Sequence, residues 1–177
     1  DGLLAGQVIE PLLEAGLREG LRDGQFLRHY QAQISQHHGM VGAEALVRWQ
    51  HPQRGLVPPA EFIPVAEASG LIVPLGAWIL RAACLQLVDW ARDPSSAHWT
   101  LAVNVSARQF RHSHFVNEVL GVLEETGANP HRLKLELTET LLLDDVEDTI
   151  ERMATLRAAG LGFALDDFGT GYSSLSY

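Results

Sequence analysis

Two adjacent carboxylates, Asp166 and Asp167, end an apolar run through Phe163, Ala164 and Leu165, and Gly169-Thr170-Gly171 follows. Two like charges at the end of a buried strand repel each other and call for a positive partner. Three earlier segments carry an acid or amide in similar surroundings: Glu44 in "GAEALVRW", Asn104 in "LAVNVS" and Glu136 in "LKLELTET". Side chains alternate between the faces of a strand, so each segment sorts into two sets. Gly42, Glu44, Leu46 and Arg48 oppose Val41, Ala43, Ala45, Val47 and Trp49. Ala102, Asn104 and Ser106 oppose Leu101, Val103 and Val105. Lys134, Glu136 and Thr138 oppose Leu133, Leu135 and Leu137. Gly162, Ala164 and Asp166 oppose Leu161, Phe163 and Leu165. One face of each strand is apolar; the other is mostly small or polar and carries Glu44, Asn104, Glu136 or Asp166.

Buried without compensation, three carboxylates would cost several kcal/mol each or take up protons. Lys134 and Arg48 offset part of that charge, and a divalent cation is the simpler remedy. All four side chains are hard oxygen donors, with no thiolate or imidazole among them, which suits Mg²⁺ or Mn²⁺ better than Zn²⁺ or Cu²⁺. Asp167, next to Asp166, is placed to hold a second ion. Two metals about 3.5–4 Å apart are a common device for in-line attack on phosphate esters.

Several elements must position these groups. The apolar spacing predicts helices over 5–23, 59–70, 74–92, 113–127 and 145–159, and strands over 26–35, 40–52, 99–107, 132–140 and 161–169. The first two strands read as antiparallel neighbours around the turn at His38-Gly39. From residue 99 the order is strand, helix, strand, helix, strand with a repeat of roughly 30 residues, as in βαβ units. The class is therefore α/β, as an open sheet or a closed barrel. A barrel would gather the four polar faces near its C-terminal mouth, where βα barrels place their active sites.

The chain has 177 residues, enough for one domain, and 46% of them are hydrophobic. The net charge of −9 argues against a nucleic-acid polymer or an anionic membrane surface as partner, but not against an anionic ligand held through metal. A single cysteine, Cys84, suits a reducing compartment. No signal-peptide pattern and no uninterrupted apolar run of about 18 residues is read in these 177 residues, so a cytoplasmic domain without membrane contact is expected. The sequence starts at Asp1 rather than Met, as expected of a piece of a longer protein.

Four blocks, "EALVRW" (44–49), "NVSARQF" (104–110), "ELTET" (136–140) and "DDFGTGYSSL" (166–175), resemble in order and spacing the signature blocks of the EAL domain. "FIPVAEASGLI" (62–72) resembles an early helix of the same family. Its members are bacterial phosphodiesterases that open cyclic di-GMP to the linear dinucleotide pGpG. The resemblance implies a modified (β/α)8 TIM-like barrel whose first strand is antiparallel to the rest, represented here by its N-terminal two-thirds. It implies that Glu44, Asn104, Glu136 and Asp166 ligate one metal, Mg²⁺ or Mn²⁺, and that Asp167 helps to hold a second. It further implies that Glu139 steadies the DDFGTG loop, and that Gln31, Leu46 and Arg48 contact the ligand. Where the family usually reads Tyr-Gln-Pro, this chain has Tyr30-Gln31-Ala32. A homodimer and upstream sensor or diguanylate cyclase domains are expected by the same resemblance. The alternative within the family is a receptor that binds cyclic di-GMP without cleaving it. A complete barrel of this kind runs to about 250 residues, and the remainder is expected to carry a Lys that assists the attacking water, a Glu for the second metal and a Gln for the guanine. The 177 residues alone are therefore expected to be inactive.

Taken singly, Glu44 reads equally well as an ion-pair partner of Arg48, and Asn104 as a satisfied turn residue; the four blocks together favour the ligand set. Gly169-Thr170-Gly171 lacks the spacing and the Lys of a phosphate loop and reads as a hinge. His112 and His114 flank a helix start with no third ligand nearby. Cys84 and the four tryptophans read as packing.

Overall fold

The computed structural model describes residues 2–165, with side-chain surroundings from residue 10 onward apart from position 142. Helix α1 (Gly2–Asp23) turns Leu13 and Leu17 inward and leaves Leu12 exposed. Strands β1 (Phe26–Ser35) and β2 (Gly39–His51) form an antiparallel hairpin. A tight turn follows, in which His51 Nδ1 accepts hydrogen bonds from the backbone N–H of Gln53 and Arg54. It returns the chain as the three-residue strand β3 (Gly55–Val57), which pairs antiparallel with the end of β2. Helix α2 (Pro59–Ser69) stops at Gly70, whose φ of 82° is left-handed and favours glycine. Helix α3 (Ile72–Trp90) then leads to β4 (Thr100–Val105). Helices α4 (Ala107–Arg111) and α5 (Phe115–Thr126), strand β5 (Leu133–Leu137), helix α6 (Val146–Ala158) and strand β6 (Gly162–Leu165) complete the described chain.

The sheet order is β1-β2-β4-β5-β6, with β3 beside β2. Strands β2, β4, β5 and β6 are parallel, and β1 alone runs antiparallel at the edge of that path. The α/β class and the antiparallel first strand thus agree with the sequence. So does the face assignment. Ala43, Ala45, Leu101, Val103, Val105, Leu133, Leu135 and Leu137 are buried on one side of the sheet, in one cluster with Ile79, Leu80, Ala83 and Cys84 of α3, Phe115 and Val119 of α5, and Leu156 of α6. A second cluster joins α1, α2 and the far end of β2. Trp49 is fully buried in it, stacks on Phe26 with centroids 5.7 Å apart, and donates its Nε1–H to Gln25 Oε1 at 3.0 Å.

Several expectations are corrected. Strand β4 ends at Val105, because Ser106 caps α4: its hydroxyl accepts the backbone N–H of Gln109 at 3.1 Å. Strand β5 is five residues long, flanked by one-turn 3-10 helices at Pro130–Arg132 and Glu139–Leu142. In the helix expected over 145–159 the apolar residues at helical spacing are only partly buried: Leu156 is buried, whereas Val146 and Ile150 are exposed. Leu85, within the helix expected over 74–92, is half exposed. Among the described residues, α3 alone is long and apolar enough to cross a bilayer by length and composition. Half of that stretch is buried inside the molecule, and Arg81 on it pairs with Glu125 of α5 at 2.5 Å.

Candidate active site

The second face of the sheet carries the chemistry. The pairing register sets two rows across it. In the first, Gln31 on β1 lies opposite Glu44 on β2, Glu44 beside Ala102 on β4, Ala102 beside Lys134 on β5, and Lys134 beside Gly162 on β6. In the second, Asn104 lies beside Glu136, and Glu136 beside Ala164. Glu44 and Asn104 therefore sit one row apart on neighbouring strands. Asn104 Nδ2 closes that gap by donating to Glu44 Oε1 at 2.8 Å. Glu44, Asn104 and Glu136 are all half-buried, so they are neither dissolved in water nor sealed in the apolar core.

The small residues on this face have a physical role. Ala102 presents only a methyl between Glu44 and Lys134, which leaves room above β4. Gly42 permits the closest approach of β2 and β4, since a Cβ there would lie 2.3 Å from the Thr100 carbonyl oxygen. The pairing of these strands runs to Ala45 and Val103, and a cavity of about 20 Å³ is lined by Ala45, Val47, Val103, Asn104 and Ile79.

Two residues support the site in a way that the alternation along the sequence did not suggest. Ser106 and Gln109 are both buried. Together they fix the turn that follows Asn104, and Gln109 lies so close to α3 that a Cβ on Gly76 would come within 2.1 Å of its Nε2. The Ser-x-x-Gln spacing is the signature of a helix capping box and was available as a signal.

Arg48 lies on the Glu44 face of β2, opposite Leu27, and donates from Nη1 to the Val47 carbonyl at 2.9 Å. Leu46, opposite His29, is buried. Gln31 is exposed on β1. Glu139 is exposed at the start of the 3-10 helix after β5. Asp166 and Asp167 lie outside the described residues. Beside the strand ends, a cavity of about 700 Å³ is lined by Pro59 and Ile63 of α2, Arg108 and Arg111 of α4, and Thr138 after β5. Glu67 also borders it, and burial raises its carboxyl above the usual carboxylate range.

The donor chemistry fits a hard divalent cation. With its Nδ2 turned to Glu44, the Asn104 amide has Oδ1 as its donor atom for a metal, beside two carboxylates on flanking strands. Among the described residues no group of three or more His, Cys, Asp or Glu side chains is close enough to hold a metal ion. The described part of the set is two carboxylates and an amide. His112 and His114 have ring centroids 5.6 Å apart.

The chain is similar to known proteins over most of its length. The bifunctional diguanylate cyclase/cyclic di-GMP phosphodiesterase MucR of Pseudomonas aeruginosa is 44% identical over 162 residues, which is 91% of this chain and 24% of that protein. The cyclic di-GMP phosphodiesterase PdeR of Escherichia coli is 42% identical over 164 residues, 93% of this chain and 24% of that protein. The chain thus spans about a quarter of the length of these curated relatives. A solved structure described as the PaMucR phosphodiesterase in complex with c-di-GMP superposes with a TM-score of 0.84 at 42% identity, covering 91% of this chain and 65% of that one. Residues 14–177 match the EAL domain family, and the chain belongs to that family.

Proposed function

We propose that this domain is a cyclic di-GMP phosphodiesterase that yields linear pGpG with the help of divalent cations. The observation that carries the reading is the hydrogen bond from Asn104 to Glu44, with Glu136 beside Asn104 on the next strand. It gathers hard oxygen donors on one face, in a family whose named relatives include cyclic di-GMP phosphodiesterases.

Glu44, Asn104 and Glu136 hold the first ion together with Asp166, and Asp167 contributes to a second. Mg²⁺ or Mn²⁺ in these places supplies a nucleophile at neutral pH and neutralises charge on the phosphate. The chain's own groups do the rest. Asn104 fixes the direction of the Glu44 carboxylate by its 2.8 Å hydrogen bond. Arg48, two positions past Leu46 on the same face of β2, orients a phosphate oxygen through a charge-assisted hydrogen bond. Leu46 offers an apolar contact, and Gln31 adds an amide to the ligand from across the β1–β2 pair. Glu139 steadies the segment that begins at Asp166. Homodimerisation, control by sensor or cyclase domains in the parent chain and a cytoplasmic site of action belong to the same proposal. Control by sensor or cyclase domains draws support from the greater length and bifunctional description of one relative.

The test is hydrolysis of cyclic di-GMP by the intact protein with Mg²⁺, Mn²⁺ or EDTA, followed by chromatography of the product. Formation of pGpG that stops in EDTA is expected. Tight binding of cyclic di-GMP without product would replace the enzyme by a receptor.

A further inference from the structure

The chain contains thirteen lysine and arginine residues, and Lys134 is the single lysine among them. Like Arg48 of β2, it belongs to the polar face of the sheet. It lies on the same face of β5 as Glu136, two residues earlier, in one row with Glu44, Ala102 and Gly162. The residues on both sides of it are the smallest available. Its stem runs beside Gly162, where a Cβ would lie 3.8 Å from its Cγ and 3.9 Å from its Cε. Lys134 is half-buried. Strand spacing and rise put its α-carbon roughly 7–10 Å from those of Glu136, Asn104 and Glu44.

We propose that Lys134 is the internal counter-cation of the carboxylate site, a positioning residue that keeps the Glu44–Asn104–Glu136 group together before metal arrives and limits how tightly metal is then held. This rests on the metal reading given above. A positive charge carried on this face attracts the carboxylates and repels an incoming dication, and half-burial weakens the screening by salt. Lysine suits the task better than arginine. Its ammonium is a compact charge on a flexible stem, whereas a guanidinium fork would engage a carboxylate with two hydrogen bonds and compete for the metal's donor atoms. Ala102 and Gly162 supply the space that the stem needs.

The experiment is a Mn²⁺ titration of the intact protein, reading the free-ion signal by electron paramagnetic resonance. It compares wild type, Lys134→Met, Lys134→Arg and Glu44→Gln, with thermal midpoints measured with and without saturating Mn²⁺. Lys134→Met is expected to bind Mn²⁺ about tenfold more tightly at the Glu44-dependent site. Its midpoint should fall without metal and recover with it, since a ligand stabilises the state that it binds. Lys134→Arg keeps the charge and should not bind more tightly. Equal affinity in wild type and Lys134→Met, with the same midpoint loss in both conditions, would make Lys134 a space-filling residue and overturn the proposal alone. Absence of any Mn²⁺ binding that Glu44→Gln removes would overturn the metal reading and this proposal with it.

Discussion

The two faces of the sheet use the same strands for opposite ends. On the face toward α3 and α5, Ala43, Leu101, Leu133 and Leu135 are fully buried within one apolar cluster. On the other, residues one position away, among them Glu44, Asn104, Lys134 and Glu136, are half-buried and polar. Close packing makes the first face rigid and sensitive to volume. That rigidity holds the second face's donors in place, so the chemistry borrows its order from a core it does not touch. The outer face should therefore control stability and the inner face turnover.

The largest expected effect is on the inner face. Glu44→Gln should lower turnover of cyclic di-GMP by about a hundred- to a thousandfold, with the thermal midpoint nearly unchanged, as steady-state assay and calorimetry would show. Trp49→Ala acts on the opposite face of the same strand. It removes a fully buried ring and should cost about 3–5 kcal/mol in denaturant unfolding, with turnover per folded molecule retained.

Gly42→Ala tests where the faces meet through the backbone. The added methyl would fall 2.3 Å from the Thr100 carbonyl oxygen, so β2 and β4 must separate. A loss of about 1–3 kcal/mol is expected, accompanied by reduced turnover because Glu44 and Asn104 belong to those two strands.

The smallest effect concerns Glu67. Burial raises its carboxyl above 4.5 in the folded protein, so the native state holds the proton more tightly than the unfolded chain does. Its contribution to stability is fullest below 4.5 and declines as pH rises through the raised folded value. Glu67→Gln should flatten that decline in pH-dependent thermal unfolding and leave the acid side unchanged.

Most of this two-sided design was legible in the sequence, because a period of two sorts residues without reference to anything distant. The alternation in "LKLELTET" alone separates Leu133, Leu135 and Leu137 from Lys134 and Glu136, and the structure keeps that division. Strand ends were less legible. The strand expected to run to residue 107 stops at Val105 because the Ser106 hydroxyl accepts the Gln109 backbone N–H and starts a helix there, a local competition that hydropathy does not register. The short strand β3 has only three residues, too few to display a period. Val146 and Ile150 have helical spacing yet are exposed, since spacing fixes which residues share a side and not what covers that side. The bond between Asn104 and Glu44 joins residues sixty positions apart. Parity put them on one face; only the parallel register of β2 and β4 brings them together.

Leu135 and Glu136 are neighbours in the chain and point to opposite faces. Turnover and thermal midpoint measured side by side for Leu135→Ala and Glu136→Gln test the account most directly. It predicts a lowered midpoint with turnover per folded molecule preserved for the first, and lost turnover with a preserved midpoint for the second. Preserved turnover in Glu136→Gln, or lost turnover in folded Leu135→Ala, would contradict it.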